Sequence, residues 1–276
     1  MKIYTLNNIA KATILPIAIN IIFFTAISAQ NFTDATNDGP ILSPPKLTAK
    51  VFLNSYNTGT GLMADYLKTL TTFPLNDPYF SAPLNTKFVH VNNGTTAASI
   101  SPSILSVSGN NSIVDWVFVQ LRTGSPGSTS VQYTKAALLQ ADGDIVDMDG
   151  VSALTFTSAP AGNYYVAIGH RNHTGFRTNA TIFLNGSSPA LNFTDNSVAL
   201  HGGFPLKAIS TSVSVMYVGD ANFDGSVDAV DSILWETQNG LFDDYHYNAD
   251  YNQDGSIDAI DTIFWESNNG VYEELD

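Results

Sequence analysis

From Asp220 to Gly240 the chain reads DANFDGSVDAVDSILWETQNG, and from Asp250 to Gly270 it reads DYNQDGSIDAIDTIFWESNNG. Thirteen of these 21 positions are identical, and several others exchange like for like, such as Val227 for Ile257 and Ser232 for Thr262. Self-similarity at a fixed offset marks an internal duplication. Each copy spaces its oxygen-bearing residues as a twelve-residue cation loop does. Asp220, Asn222 and Asp224 stand at positions 1, 3 and 5, Gly225 turns the chain at 6, and Ser226 offers its backbone carbonyl at 7. Asp228 and Asp231 follow at 9 and 12. Asp250, Asn252, Asp254, Gly255, Ser256, Asp258 and Asp261 repeat the set. Calcium takes roughly six to eight oxygen ligands in flexible geometry, which suits such a loop better than magnesium's strict octahedron. The expectation is two calcium ions, one per loop, with folding and binding coupled because unneutralised carboxylates repel.

A helix is expected after each loop. Val230, Ile233 and Leu234 recur as Ile260, Ile263 and Phe264 at helical spacing, and Asn239-Gly240 and Asn269-Gly270 supply matched stops. Val227 and Ile257, at loop position 8, are expected to pair the two loops and point into a small core. Trp235 and Trp265 lie off the apolar stripe at identical positions. They are candidates for a twofold partner surface, or equally for packing against the other repeat or the preceding domain.

Charge follows the same division. Residues 219–276 hold 15 of the 25 acidic residues and no Lys or Arg, whereas residues 1–218 carry 11 basic against 10 acidic side chains. The 276-residue chain has a net charge of −14 because of this one segment. With 11 Lys and Arg in all, nucleic acid is not expected as a partner. The absence of cysteine excludes disulfides, zinc–thiolate sites and a thiol nucleophile.

Upstream, from 47 to 217, the text is that of short strands. Leu47, Ala49, Val51 and Leu53 alternate with polar residues, and Ile113–Leu121 is apolar on both faces apart from Asp115 and Gln120. Further runs at 130–139, 152–157, 163–169, 179–184 and 211–217 are separated by Gly, Pro and Asp-Gly turns. One helix is expected here, over Gly61–Leu70, where Leu62, Tyr66 and Leu67 share a face. The fold class is therefore mainly β, a sandwich of residues 47–217 followed by a small all-α calcium-binding domain of residues 218–276.

Three resemblances add to this reading. Pro160-Ala-Gly-Asn-Tyr164 resembles the strand entry of immunoglobulin-like and prealbumin-like sandwiches. Residues 47–175 resemble a module of secreted Bacteroidota surface proteins, through Tyr56–Met63, Asp115–Phe118, Asp147–Val151 and His170–His173. The duplicated loop–helix unit, with no entering helix and with Asp at position 12, resembles a dockerin domain. That likeness implies docking onto a cohesin module, usually in the assembly of polysaccharide-degrading enzymes. It departs at Ala229-Val230 and Ala259-Ile260, where many cellulosomal dockerins carry a Ser-Thr pair.

At the N-terminus Lys2 and Lys11 lie before or at the edge of an apolar run, Ala12–Ala26, and the small residues Ala26, Ser28 and Ala29 follow. This is the pattern of a signal peptide, residues 1–29, joined to the body by a linker over residues 30–46. The run is too short for the roughly 20 residues of a bilayer span. No membrane span is expected in the mature chain, and the expected location is secreted or cell-surface, in a bacterium.

Catalytic signals are thin. The acidic run Asp142, Asp144, Asp147 and Asp149 reads as hairpin turns. His170 and His173 would face opposite sides of a strand, which disfavours a shared metal. No nucleophile elbow, zinc-protease motif or P-loop is present. The expectation is a non-catalytic, calcium-binding protein whose module attaches it to a protein partner, cohesin-like or at the cell surface. An accessory or enzyme of polysaccharide degradation, with a carbohydrate ligand for the sandwich, and a purely structural calcium-rigidified cap are the alternatives.

Overall fold

The computed structural model describes residues 43–187 and 189–276. The signal segment 1–29 and linker residues 30–42 lie outside the described residues. In chain order the strands are β1 (Lys46–Lys50), β2 (Tyr56–Asn57), β3 (Leu62–Met63), β4 (Ile113–Ser125), β5 (Ser128–Gln140), β6 (Asp144–Val146) and β7 (Leu154–Thr155). There follow β8 (Gly162–His170), β9 (His173–Arg177), β10 (Ile182–Leu184), β11 (Ala190–Asn192), β12 (Lys207–Ala208) and β13 (Ser214–Val215), then helices α1 (Ala229–Gln238) and α2 (Ala259–Asn268). The chain is mainly β with two helices.

Strand β4 is the centre of a nine-stranded sheet, hydrogen-bonded to β5 on one side and β8 on the other. Side chains of a strand alternate between faces, and both faces of β4 are buried. Val117, Val119 and Leu121 enter one core, with Leu47 and Ala49 of β1, Leu191 of β11 and Val166 and Ile168 of β8. β1 and β11, at one end of the strand path, thus pack over β4 and β8, and the sheet folds over on itself as a sandwich. Trp116 and Phe118 enter a second core, closed by Leu67, Phe73, Tyr79, Leu84 and Phe88. These five come from the segment between β3 and β4, which carries only short 3-10 turns.

The α-helix expected over Gly61–Leu70 does not form. Leu62–Met63 instead pairs with Tyr56–Asn57 across a turn in which Gly61 has φ +73°, and a 3-10 turn covers Leu67–Thr69. The competing tie is Met63 N–H to Ala141 O, 2.8 Å, which docks β3 onto the sheet. Leu67 is buried whereas Tyr66 is 41% exposed, so the three residues do not share one buried face.

The repeat sequence becomes a repeat structure. Asp228 and Asp258 cap α1 and α2 with nearly equal torsions, and each forms a capping box with Asp231 or Asp261. The position-8 residues Val227 and Ile257 are buried as expected, but they do not pair the loops with each other. Val227 N–H bonds to Val271 O after α2, and Ile257 N–H to Leu241 O after α1. Each loop is therefore closed by the tail of the other repeat. Among the described residues no helix is long and apolar enough to cross a membrane.

The boundary at 217/218 separates two kinds of sequence, yet the described residues fall in one compact unit. The fully buried Asp115 ties the parts together. Its Oδ1 accepts from Trp116 N–H and from the Tyr245 hydroxyl, both 2.7 Å, while Oδ2 takes His170 Nε2, Arg171 Nε and Gln253 Nε2 at 3.1–3.2 Å. Burial opposes the charge, but the Arg171 guanidinium and the surrounding donors hold the Asp115 carboxyl well below the ordinary carboxylate range.

Candidate functional site

The two loops share most of their hydrogen bonds and differ at position 1, where Asp250 Oδ1 accepts from Asp254 N–H at 3.2 Å and Asp220 Oδ1 has no counterpart bond. Asp220 Oδ2 accepts from Gly225 N–H at 3.1 Å, and Asp250 Oδ2 from Gly255 N–H at 2.9 Å. Asp231 Oδ1 accepts from Ala221 and Asn222 N–H and its Oδ2 from Asp228 N–H, and Asp261 does the same with Tyr251, Asn252 and Asp258. Asn222 and Asn252 bond to Asp224 and Asp254 at 2.7 and 2.8 Å. Gly225 and Gly255 adopt φ +88° and +83°, left-handed values that favour glycine. Ser226 and Ser256 take backbone bridges to Tyr272 and Phe242.

All twelve expected ligand residues thus lie on two equivalent loops. Their carboxylates are spread over backbone N–H groups, however. Among the described residues no three His, Asp or Glu side chains form a group able to hold a metal ion. The donor set nevertheless fits a hard cation, and one atom fits it closely: Asp220 Oδ1 is buried and has no hydrogen-bond partner. Burial pushes Asp220 up to about 6 despite Lys87, Asp250 up to about 7 despite Arg171, and Asp261 up to about 6. These carboxylates are held where ionisation is costly without a nearby positive charge. Lys87 supplies part of that charge to the first loop, with Nζ 2.7 Å from Asp220 Oδ2 and 3.1 Å from Glu273 Oε2.

The helices present an unexpected face. Val230, Ile233, Ile260 and Ile263 are 49, 58, 47 and 57% exposed, so most of the apolar stripe faces outward. Only Leu234 and Phe264 pack on the module core of Val218, Ala221, Ala249, Tyr251 and Ile257. Trp235 and Trp265 take the alternative packing role. Each is half-buried, and each indole N–H donates across the repeat, Trp235 to Asp258 O at 3.0 Å and Trp265 to Asp228 O at 2.8 Å. The repeat alignment contained the signal for this exchange, since both Trp occur at the same offset from a cap Asp.

His170 and His173 do meet, contrary to the strand-face reading. A tight turn joins β8 to β9, and the two Nδ1 atoms stand 2.9 Å apart. Both rings are fully buried. Asn54 N–H reaches His173 Nε2 at 3.2 Å and the ionised Asp115 faces His170 Nε2. These contacts fix one proton on His173 Nδ1 and one on His170 Nε2, so both rings are neutral and internally paired. The acidic turn residues are likewise paired: Asp144 with Lys50 at 3.1 Å, Asp147 with Lys135 at 2.5 Å, and Asp149 with its own turn amides.

No family model matches the chain, and no curated protein matches it. Among solved structures it is similar to type II cohesin–X-dockerin complexes of Acetivibrio cellulolyticus. A C-terminal interface mutant aligns at TM-score 0.37 and 16% identity, covering 83% of this chain and 97% of that one. An N-terminal interface mutant aligns at TM-score 0.34 and 18% identity, covering 56% and 81%. At TM-scores this low the likeness carries no argument about function.

Proposed function

We propose that the chain is an exported, non-catalytic bacterial protein that docks onto a cohesin-like partner through a dockerin-like, calcium-dependent C-terminal module, with an immunoglobulin-like or prealbumin-like sandwich as cargo. The observation that carries this reading is the twofold-repeated set Val230, Ile233, Ile260 and Ile263, apolar side chains left in water on two matched helices. Large exposed apolar patches are characteristic of partner surfaces. Repetition of the set at an offset of 30 residues offers a partner two equivalent docking orientations.

The residues that would hold calcium are Asp220, Asn222, Asp224, the Ser226 carbonyl and Asp231 in the first loop, and Asp250, Asn252, Asp254, the Ser256 carbonyl and Asp261 in the second. Asp228 and Asp258 serve the helix N-termini, accepting from Val230 and Ile260 N–H at 2.8 and 2.7 Å. Bound calcium supplies the positive charge that these buried carboxylates lack. The chain's own contribution is to aim two capped helices from the loops, so that loop order and helix direction are coupled.

The test is binding of the full chain to immobilised cohesin modules with calcium and with EDTA, together with the Ile233→Asp/Ile263→Asp variant. Calcium-dependent capture that the variant loses is the expected result. Calcium binding without any capture would overturn docking. It would favour the structural-cap alternative, which draws support from the contacts of Lys87 and Asp115 across the module boundary.

A further inference from the structure

The sandwich meets the two repeat loops with different chemistry. Glu273 and Asp243 are repeat mates, 30 residues apart. Each donates its N–H to a loop glycine carbonyl, Glu273 to Gly225 O and Asp243 to Gly255 O, both at 2.8 Å. Their side chains meet unlike partners. Asp243 Oδ1 accepts from the Tyr66 hydroxyl, a neutral donor, at 2.7 Å. Glu273 Oε2 stands 3.1 Å from Lys87 Nζ, and the same ammonium donates to Asp220 Oδ2, the position-1 carboxylate of the first loop, at 2.7 Å. The Lys87 and Asp220 side chains are 14% and 1% exposed, so this ion pair is largely out of water. Among the described residues no ion pair joins Lys or Arg to a ligand residue of the second loop. Arg171 gives Nε to Asp115 Oδ2 at 3.1 Å and Nη1 to Tyr247 O at 3.3 Å instead.

Position 1 differs accordingly. Asp250 takes backbone donors on both oxygens, Gly255 N–H on Oδ2 and Asp254 N–H on Oδ1. Asp220 shares Oδ2 between Gly225 N–H and the Lys87 ammonium, while its buried Oδ1 has no bond. An ammonium and a divalent ion on one carboxylate repel each other. Part of what Lys87 contributes to the metal-free loop is therefore lost when the ion arrives, and by linkage the ion binds less tightly. Glu273 opposes this effect, because its carboxylate, held also by Gly175 N–H at 2.8 Å, offsets part of the same ammonium charge. We infer, on the calcium reading proposed above, that Lys87 is a resident counter-ion of the first loop: it keeps that loop ordered without metal and makes it the weaker of the two sites, filled after the second. Lys87 comes from the segment between β3 and β4, so the sandwich, and not the module alone, sets the calcium threshold of the first loop.

The experiment is calorimetric calcium titration of the full chain, with Asp261→Ala isolating the first loop and Asp231→Ala the second. The first loop should show a dissociation constant at least about tenfold above that of the second. Tenfold corresponds to about 1.4 kcal/mol, within the reach of a buried ammonium acting on a divalent ion. Lys87→Met should lower the first constant at least about tenfold, Glu273→Gln should raise it, and neither should move the second by more than about twofold. In EDTA, Lys87→Met should melt below the unsubstituted chain, and the gap should narrow in saturating calcium. If Lys87→Met does not fold without metal, Lys87→Gln and Glu273→Gln carry the comparison. A role limited to positioning Asp220 would instead have Lys87→Met loosen the first site. That loosening, equal affinities in the two loops, a tighter first loop, or an equal shift of both loops would overturn the inference even with two ions bound. No calcium uptake by either loop would overturn it together with the calcium reading on which it rests.

Discussion

Removing the Tyr245 hydroxyl tests whether the acidic module and the sandwich are one cooperative structure. Tyr245 lies between the two repeats and its hydroxyl donates to Asp115 Oδ1, on the central strand, at 2.7 Å. Burial and the Asp115 charge raise its phenol well above the ordinary range, so it remains a donor at all working pH values. A hydrogen bond to a buried charged group contributes about 1.5–3 kcal/mol. Tyr245→Phe removes that bond and little volume. For a folded unit of this size each kcal/mol shifts the melting temperature by about 2–4 °C, so a drop of about 3–12 °C is expected. Asp115→Ala should cost more, about 3–5 kcal/mol, because it strands the buried Arg171 charge. The assay is urea unfolding in saturating calcium, followed by far-ultraviolet circular dichroism for the helices and by tryptophan fluorescence, to which the core residue Trp116 contributes. A double-mutant cycle should give a coupling of at least about 1 kcal/mol, and both probes should report one transition. Additive effects, a Tyr245→Phe cost below about 0.5 kcal/mol, or separate transitions for helix and Trp signals would refute this account of the hub.

Further outcomes follow from the same geometry. Calorimetric titration should find two calcium ions per chain, with Asp231→Ala and Asp261→Ala each removing one; free calcium at a hundred times the dissociation constant should add about 2.7 kcal/mol per site to stability. Gly255→Ala should destabilise by about 1–3 kcal/mol, since φ is +83° and the added methyl would meet the Tyr66 ring; thermal melts measure it. Burial holds His170 below its ordinary range and His173 well below it. The unfolded chain therefore binds more protons below about pH 6.5, and stability is lost as pH falls through that value by up to about 1.4 kcal/mol per pH unit for each ring. His173→Gln should flatten that slope, and equal slopes in both proteins would remove the assignment.

The two loops and two helices were legible in the sequence because their determinants are local. Oxygen-bearing residues at fixed spacing, a glycine where φ must be positive, a cap Asp and an Asn-Gly stop all act within twelve residues or so of one another. Strands β1, β4, β5, β7, β8 and β10 of the central sheet were legible for the same reason, through period and turn chemistry, whereas β6, β9 and β11 were not, Asp144 standing in a run that reads as turns. What lay beyond local reading was the partner of each surface. The stripe Val230, Ile233, Leu234 has helical period, but period alone does not say which part of the face is covered. The core of the module is filled from Val218, Ala249 and Tyr251 instead, leaving most of the stripe in water. The helix expected at Gly61–Leu70 failed because a distant carbonyl, Ala141 O, takes Met63 N–H into the sheet. His170 and His173, placed on opposite faces by strand period, meet because the chain turns between them. The Asp115 hub assembles groups from the central strand, the β8–β9 turn and the inter-repeat segment, more than a hundred residues apart in places. Only tertiary closure decided which buried charges found partners and which buried atoms, Asp220 Oδ1 and Arg171 Nη2 among them, were left without a hydrogen bond, because burial and pairing depend on distance in space and not along the chain.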